Sequence, residues 1–300
     1  MTKVFAAVNV PLAVLWTEPG PKRTHDNLVL GLTTNPLAWA DAMDDEMRLW
    51  LVGKVETQLL YGERLLILDR HNDWLKVAAV EQATNMDNHG YPGWLPAIQA
   101  ISDIGFLENQ LTSPLITVTT AKAPLYRDNT SICELSYQTR LPLITDEDGK
   151  YYLVHLPSGD VGHIACSQAT RQTKAQFSSQ IIVTEARKFL GLRYIWGGTS
   201  AFGFDCSGFV MRLYASQGIN IPRDADDQAS SGSPVDRADL QLGDLLFFAN
   251  ANGQGAIHHV GLYSGNGKMI HAPNSRSAIR EERFTVGSYN DEYWGARRYR

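Results

Sequence analysis

The sequence predicts an α+β chain in which two small antiparallel β-barrels precede a larger domain of helices first and antiparallel strands after. Three observations lead there. An internal repeat aligns residues 59–68 with 135–144, so that Leu59, Tyr61, Arg64 and Leu65 recur as Leu135, Tyr137, Arg140 and Leu141. Each copy continues through a polar turn (69–73, 145–150) into an aromatic strand (74–77, 151–154), and closes on Gly93-Trp94-Leu95 or Gly162-His163-Ile164. From about Ser178 the apolar spacing becomes helical and the repeat stops.

In chain order, the first barrel is expected over 1–105. Val8, Val10, Leu12 and Val14 alternate as one opening strand, and an insertion at about 28–48 is partly helical, over 39–49. The second barrel is expected over 106–173, opening at 123–126. Its Asp-Glu-Asp-Gly-Lys segment at 146–150 faintly resembles a calcium loop, but the spacing fails at the fifth position and no Glu closes it, so a hairpin turn is expected. The last domain, 174–300, should hold a helix at 181–190 (Ile182, Ala186, Phe189 and Leu190 inward) stopped by Gly191, and a second at 206–217 stopped by Gly218. Strands are expected at 244–248, 258–263 and 268–272 and near 294–299.

Composition bounds the function. At 300 residues and 44% hydrophobic the chain can bury cores, and wholesale disorder is excluded. The net charge of −5 comes without a basic stripe, so neither nucleic acid nor an anionic membrane is an expected partner. No apolar run approaches the roughly 18 residues of a transmembrane helix. Cys133, Cys166 and Cys206 form no C-x-x-C pair and no disulfide framework. The N-terminal apolar stretch contains Asn9 and Pro11 and runs into Thr17-Glu18-Pro19-Gly20, which reads as a strand rather than a cleaved signal.

The chemistry centres on Cys206. Asp205 can cap a helix, which puts Cys206 in the first turn, where a helix N-terminus favours thiolate. Val210, Leu213 and Tyr214 share its face and turn the thiol toward the domain body, and Gly208 is expected to leave room beside the sulfur for a substrate. A thiolate nucleophile wants an imidazole. His259 begins one alternating strand and His271 ends the next, with Gly265-Asn266-Gly267 between them. A three-residue loop pairs Ser264 with Lys268 and Gly261 with His271, which sets both histidines diagonally on one face. A two-residue Asn-Gly turn would set them on opposite faces. His258 is expected on the other face of the strand. The His and Cys spacings match no zinc site, Gly197-Gly198 lacks the spacing of a phosphate loop, and no cofactor is called for.

Six segments in order now carry a resemblance: Tyr194-Ile195-Trp196-Gly197-Gly198, Phe204-Asp205-Cys206-Ser207-Gly208-Phe209, Pro222-Arg223-Asp224, Leu242-Gly243-Asp244-Leu245-Leu246-Phe247-Phe248, His259-Val260-Gly261-Leu262-Tyr263 and Ile270-His271-Ala272. They resemble the NlpC/p60 cysteine peptidases, and the barrels resemble bacterial SH3-type domains. The layout is similar to the gamma-D-glutamyl-L-diamino-acid endopeptidases of the dipeptidyl-peptidase VI type.

The resemblance implies a papain-like catalytic domain with a Cys-His-His triad: Cys206 as nucleophile, His259 as base, His271 as third member, with Tyr194 beside the oxyanion site. It implies a murein peptide substrate, L-Ala-γ-D-Glu linked to diaminopimelate or lysine, cut at the γ-D-glutamyl bond when the L-Ala amine is free. Asp205 and Ser207 match residues that hold the peptide's N-terminal end, and Glu56 and Tyr91 match an amine-pairing acid and a capping tyrosine from the first barrel. Many relatives carry Ser or Thr where Ala225 stands, which puts the glutamate pocket in question. The expected role is peptide recycling in the cytoplasm. The alternatives are an exported endopeptidase acting on polymeric peptidoglycan and a non-catalytic wall-peptide binding protein.

Overall fold

The computed structural model describes residues 3–20, 22–172 and 177–300. The boundary expected at 173/174 lies outside the described residues. Seven strands build the first sheet: β1 (Val4–Val8), β2 (Leu12–Trp16), β3 (Val55–Leu60), β4 (Arg64–His71), β5 (Trp74–Ala79), β6 (Tyr91–Pro96) and β7 (Ala100–Ile101), in the order β3-β2-β6-β5-β4-β1-β7. The second holds β8 (Leu115–Val118), β9 (Lys122–Arg127), β10 (Thr130–Ser136), β11 (Arg140–Glu147), β12 (Tyr151–His155), β13 (Val161–Ala165) and β14 (Ala169–Arg171). Its order, β10-β9-β13-β12-β11-β8-β14, repeats the first strand for strand, so the sequence repeat is a topological one.

The opening segment departs from expectation. The alternation from Val8 to Val14 is not one strand, because the chain turns at 9–11 and β1 and β2 pair with different partners. Pro11 has no N–H to give a ladder, which suits a turn between strands. The polar segment 146–150 is a hairpin turn between β11 and β12, with Asp148 and Gly149 at positive φ.

The third unit adds a small ribbon of β15 (Thr199–Ser200) and β16 (Gly203–Phe204) and a six-stranded sheet in the order β17-β22-β18-β19-β20-β21. Its strands are β17 (Ser233–Val235), β18 (Leu245–Ala249), β19 (Ile257–Gly265), β20 (Lys268–His271), β21 (Arg280–Arg283) and β22 (Tyr293–Arg298). In chain order the helices that matter are α1 (Pro36–Asp41), α2 (Asp45–Leu49), α3 (Ile104–Thr112), α4 (Ser179–Arg187), α5 (Cys206–Ser216) and α6 (Ala225–Ser230). α5 is apolar on most of its surface and lies in a core with Val260, Leu262 and Ile270 of the sheet and Ile182 and Ala186 of α4. A helix so enclosed cannot shift without opening the core. Gly191 and Gly218 take positive φ after their helices, as expected of C-terminal stops.

The first and third units are joined by buried polar contacts. Edge strand β3 presents Gln58, whose backbone oxygen accepts from Thr199 Oγ1 (2.9 Å) and whose side-chain oxygen accepts from Ser200 Oγ (2.7 Å). At the β3–β4 turn, Glu63 Oε1 lies 2.6 Å from Arg212 Nη1 of α5, with both side chains at most 9% exposed. The segment 28–48 is the second tie. It holds α1 and ends inside α2, and its Arg48, fully buried, donates to the carbonyls of Met43, Tyr194 and Ala40. Val29, Trp39, Ala40 and Met43 pack with Ile195 and Phe202, so the insertion is packing between units.

Removing one partner of a buried ion pair strands the other charge at about 3–5 kcal/mol. Glu63→Gln is therefore expected to lower unfolding free energy by about 3 kcal/mol. Asp160→Asn, which breaks the exposed Arg127–Asp160 pair, should cost under about 1 kcal/mol. Urea denaturation of the two variants checks this, and equal losses would deny the Glu63–Arg212 pair its interdomain role.

Candidate active site

Cys206 opens α5. Asp205 takes the N-cap position, its Oδ1 accepting from Gly208 N at 2.7 Å. The same carboxylate is held by Arg223, through Nη2 to Oδ2 at 2.5 Å and Nη1 to Oδ1 at 3.2 Å. Arg223 is 1% exposed, donates also to Ser207 Oγ (2.9 Å), and reaches across the domain junction from Nε to Thr57 Oγ1 (2.8 Å). Thr57 Oγ1 in turn donates to Gln82 Oε1. Arg223 thus uses four of its five donor hydrogens, and against burial, which by itself lowers its pKa, the neighbouring carboxylates of Asp205 and Asp224 raise it.

Gly208 serves a different end from the one expected. A Cβ there would lie 2.2 Å from the Gly198 carbonyl oxygen, so the glycine lets the start of α5 pack on the 197–198 loop. The thiol also departs from expectation. Burial, then the charge of Asp205, push Cys206 up to about 12, while the N–H groups of Val260 and Ser207 and the charge of Arg223 pull the other way. The N–H of Val260 puts the sulfur beside the residue that follows His259 in β19.

The two histidines share a face, with His259 Nε2 2.7 Å from His271 Nδ1. The turn that achieves this is not the three-residue loop. Gly265 pairs with Lys268 across a two-residue Asn266-Gly267 turn, both at positive φ, and a bulge at Ser264 supplies the missing step. Tyr263 then faces Met269 and Leu262 faces Ile270, which brings Gly261 level with His271. The His259 ring is walled by Phe248 (centroids 5.8 Å apart), Tyr289 (5.7 Å) and His271 (5.0 Å). Burial, then the cost of protonating it beside His271, hold His259 well below the usual histidine range, and burial with Arg280 takes His271 down to about 3. Both rings are neutral near pH 7. His258 is a further correction. The β18–β19 ladder is irregular there, skipping from His259 to Ile257, so the ring is not sent to the far face but lies 6.5 Å from that of His259 and lines the cavity.

That cavity, about 460 Å³, lies between the first and third units. Among its walls are Glu56, Tyr91, Tyr194, Asp205, Cys206 and Ser207, so the sequence-derived residues other than the two buried histidines line one space. Three further residues join them. Asp224 accepts from Tyr91 Oη at 2.8 Å, Arg223 forms the floor already described, and Trp196 donates from Nε1 to Val55 O at 3.0 Å. The segment Pro222-Arg223-Asp224 was visible in the sequence. Its signal was a charged pair placed after the Cys helix, but nothing local said where the pair would point.

Asp205 is already matched by Arg223. Glu56 and Asp224 are not matched alike. Burial, then Asp224, raises Glu56; burial first also raises Asp224, against the pull of Arg223 and the Tyr91 hydroxyl. Two desolvated carboxyls, the first raised further by the charge of the second, suit a cation between them. Tyr194 is held far above its usual range by burial, then by Cys206 and Asp205, so its hydroxyl stays a donor. Ala225 also lines the cavity, and that wall is apolar for want of a hydroxyl.

A neutral thiol and a neutral imidazole set the pH response. Thiolate grows roughly tenfold per pH unit until the pKa is reached. Alkylation of Cys206 by iodoacetamide, taken as the difference between wild type and Cys206→Ala, should keep rising between about pH 7 and about pH 10. A plateau near neutrality would mean a preformed thiolate–imidazolium pair.

The NlpC/P60 family matches residues 191–298, and the YKFC SH3b2 domain matches residues 118–170. The chain is 39% identical to a gamma-D-glutamyl-L-lysine dipeptidyl-peptidase of Bacillus cereus, over 98% of this chain and 90% of that protein. It is 38% identical to one of the same name from Bacillus subtilis, over 99% and 98%. The crystal structure of an NlpC/P60 family protein from Bacillus cereus superimposes with a TM-score of 0.95 at 38% identity, covering 98% of this chain and 99% of that one. The α+β domain behind two SH3-like β-domains and the likeness over nearly the whole length agree: the chain belongs to the NlpC/P60 family of cysteine peptidases.

Proposed function

We propose that this peptidase hydrolyses the γ-D-glutamyl to diamino-acid bond of murein peptides whose N-terminal L-Ala amine is free. The observation that carries the reading is the Glu56–Asp224 pair in a cavity that also holds Cys206. A buried ammonium needs carboxylates or it stays in water, and these two are desolvated and line one cavity. The names of the two Bacillus relatives support the same bond class. In this reading Asp224 is the second amine-pairing acid, since Arg223 occupies Asp205. Asp205 and Ser207 then shape the wall and orient the peptide's first residue.

The chemistry follows from the same groups. Cys206 Sγ gives its proton to His259 and attacks the γ-glutamyl carbonyl. Backbone N–H groups at the start of α5 and the Tyr194 hydroxyl hold the oxyanion. His259 passes the proton to the departing amine as the C–N bond breaks, leaving a thioester that water hydrolyses. Apart from that water, no group outside the chain is needed for these steps. Glu56 and Tyr91, brought in by the first SH3-like unit, close the end of the cleft, so a longer strand of sugar-linked peptide meets a wall. On this reading the enzyme works in the cytoplasm on freed peptides.

The test is mass spectrometry of L-Ala-γ-D-Glu-diaminopimelate and its lysine counterpart, free and N-acetylated. Wild type should release L-Ala-γ-D-Glu from the free peptides only, and Cys206→Ala should release none. Glu56→Gln and Asp224→Asn should each raise KM about tenfold or more, since each removes a charge-assisted contact to the amine. Equal cleavage of acetylated peptide, or release from whole sacculi, would favour a wall-directed endopeptidase. Binding without cleavage would leave a wall-peptide binding protein.

A further inference from the structure

Beyond the three residues of the sequence motif, the hydrogen-bond chain continues. His271 Nε2 lies 2.7 Å from Glu282 Oε1, and Arg280 Nε donates to the same oxygen at 2.7 Å. β21 is what brings them there: His271 pairs with Arg280 and Met269 with Glu282, so Glu282 sits diagonally across from the imidazole. We propose that Glu282 is a positioning residue that fixes the tautomers of both His271 and His259 and so leaves the Nδ1 lone pair of His259 for Cys206. The inference rests on the reading that Cys206 and His259 carry the reaction.

The argument is a count of protons. A carboxylate oxygen held by a guanidinium accepts only, so the hydrogen between Glu282 and His271 is on His271 Nε2. His271 is buried and neutral near pH 7, so its Nδ1 carries a lone pair. That lone pair accepts from His259 Nε2 across 2.7 Å, which puts the His259 hydrogen on Nε2. His259 is neutral as well. Its Nδ1 is left bare, the one state in which it can take a proton from the thiol. Without an acceptor at position 282 the chain of donors can reverse, and a His259 with its hydrogen on Nδ1 cannot act as base. Besides Glu282, the titratable groups facing this pair are Arg280 on β21 and His258 on β19. The Tyr289 ring closes the remaining side, 5.2 Å from His271.

The experiment is 15N NMR of histidine-labelled protein near pH 7, with kinetics of Glu282→Leu and Glu282→Gln on the free tripeptide. In wild type, both His259 and His271 should carry their hydrogen on Nε2. An Nδ1-protonated ring at either position overturns the proposal without any variant. In Glu282→Leu, Nδ1-protonated signals should emerge and kcat should fall roughly 10- to 100-fold with KM nearly unchanged. Glu282→Gln keeps an acceptor oxygen and should recover most of kcat. A Glu282→Leu protein with wild-type kcat and spectrum sinks the idea, as does a Glu282→Gln protein no better than Glu282→Leu. If wild type cuts no peptide at all, the peptidase reading fails while the wild-type spectrum still judges the tautomers.

Discussion

Arg223 is the group on which the rest of the site depends. A guanidinium withdrawn from water costs several kcal/mol unless its donors are met, and here both carboxylate oxygens of Asp205, the Ser207 hydroxyl and Thr57 meet four of the five. Each partner has a second task. Asp205 caps α5 and so sets where Cys206 stands; Ser207 is the next residue of that helix; Thr57 belongs to the strand that carries Glu56. The backbone joins in, since Arg223 N donates to Ala83 O of the first unit. One cation therefore fixes the nucleophile's helix, the strand that carries Glu56 and the docking of two domains.

The electrostatics around that cation favour neutrality both in the reacting groups and in the two free carboxyls. Thiol and imidazoles are held neutral by burial, while Glu56 is pushed toward protonation by burial and then by Asp224, and Asp224 by burial first, with Asp205 and Asp226 adding to it. A bound ammonium would reverse the second effect, restoring both carboxylates at the moment the substrate is seated. Binding and ionisation are then linked, and the free site avoids holding uncompensated charge in a dry cavity.

Much of this was legible from residues alone. The repeat gave the two β-units because strand alternation and turn residues are local signals. Cys206 in a capped first turn and two histidines in neighbouring strands were legible for the same reason. What escaped notice depends on contacts between distant segments. Asp224 matters through Tyr91 and Glu56, more than a hundred residues away. Arg48 ends the insertion with nothing local to mark it, yet it is buried and donates to the Tyr194 carbonyl. Glu282 lies on a short polar strand, Arg280–Arg283, with no apolar alternation to announce it. Gly208 was read as space for a ligand because a sequence does not say what a missing Cβ would strike.

The bulge at Ser264 separates two quantities that a motif treats as one, the spacing of the histidines along the chain and the face they share. Deleting the bulged residue would leave every downstream pairing in place, from Tyr263 with Met269 to Leu262 with Ile270. Straightening it with no deletion would advance the strand one place and turn His271 away. Descendants of this hairpin can thus lose the residue at Ser264 and keep both imidazoles together. A search that demands a set interval between the histidines would pass them over, and one that asks for parity between turn length and bulge would find them.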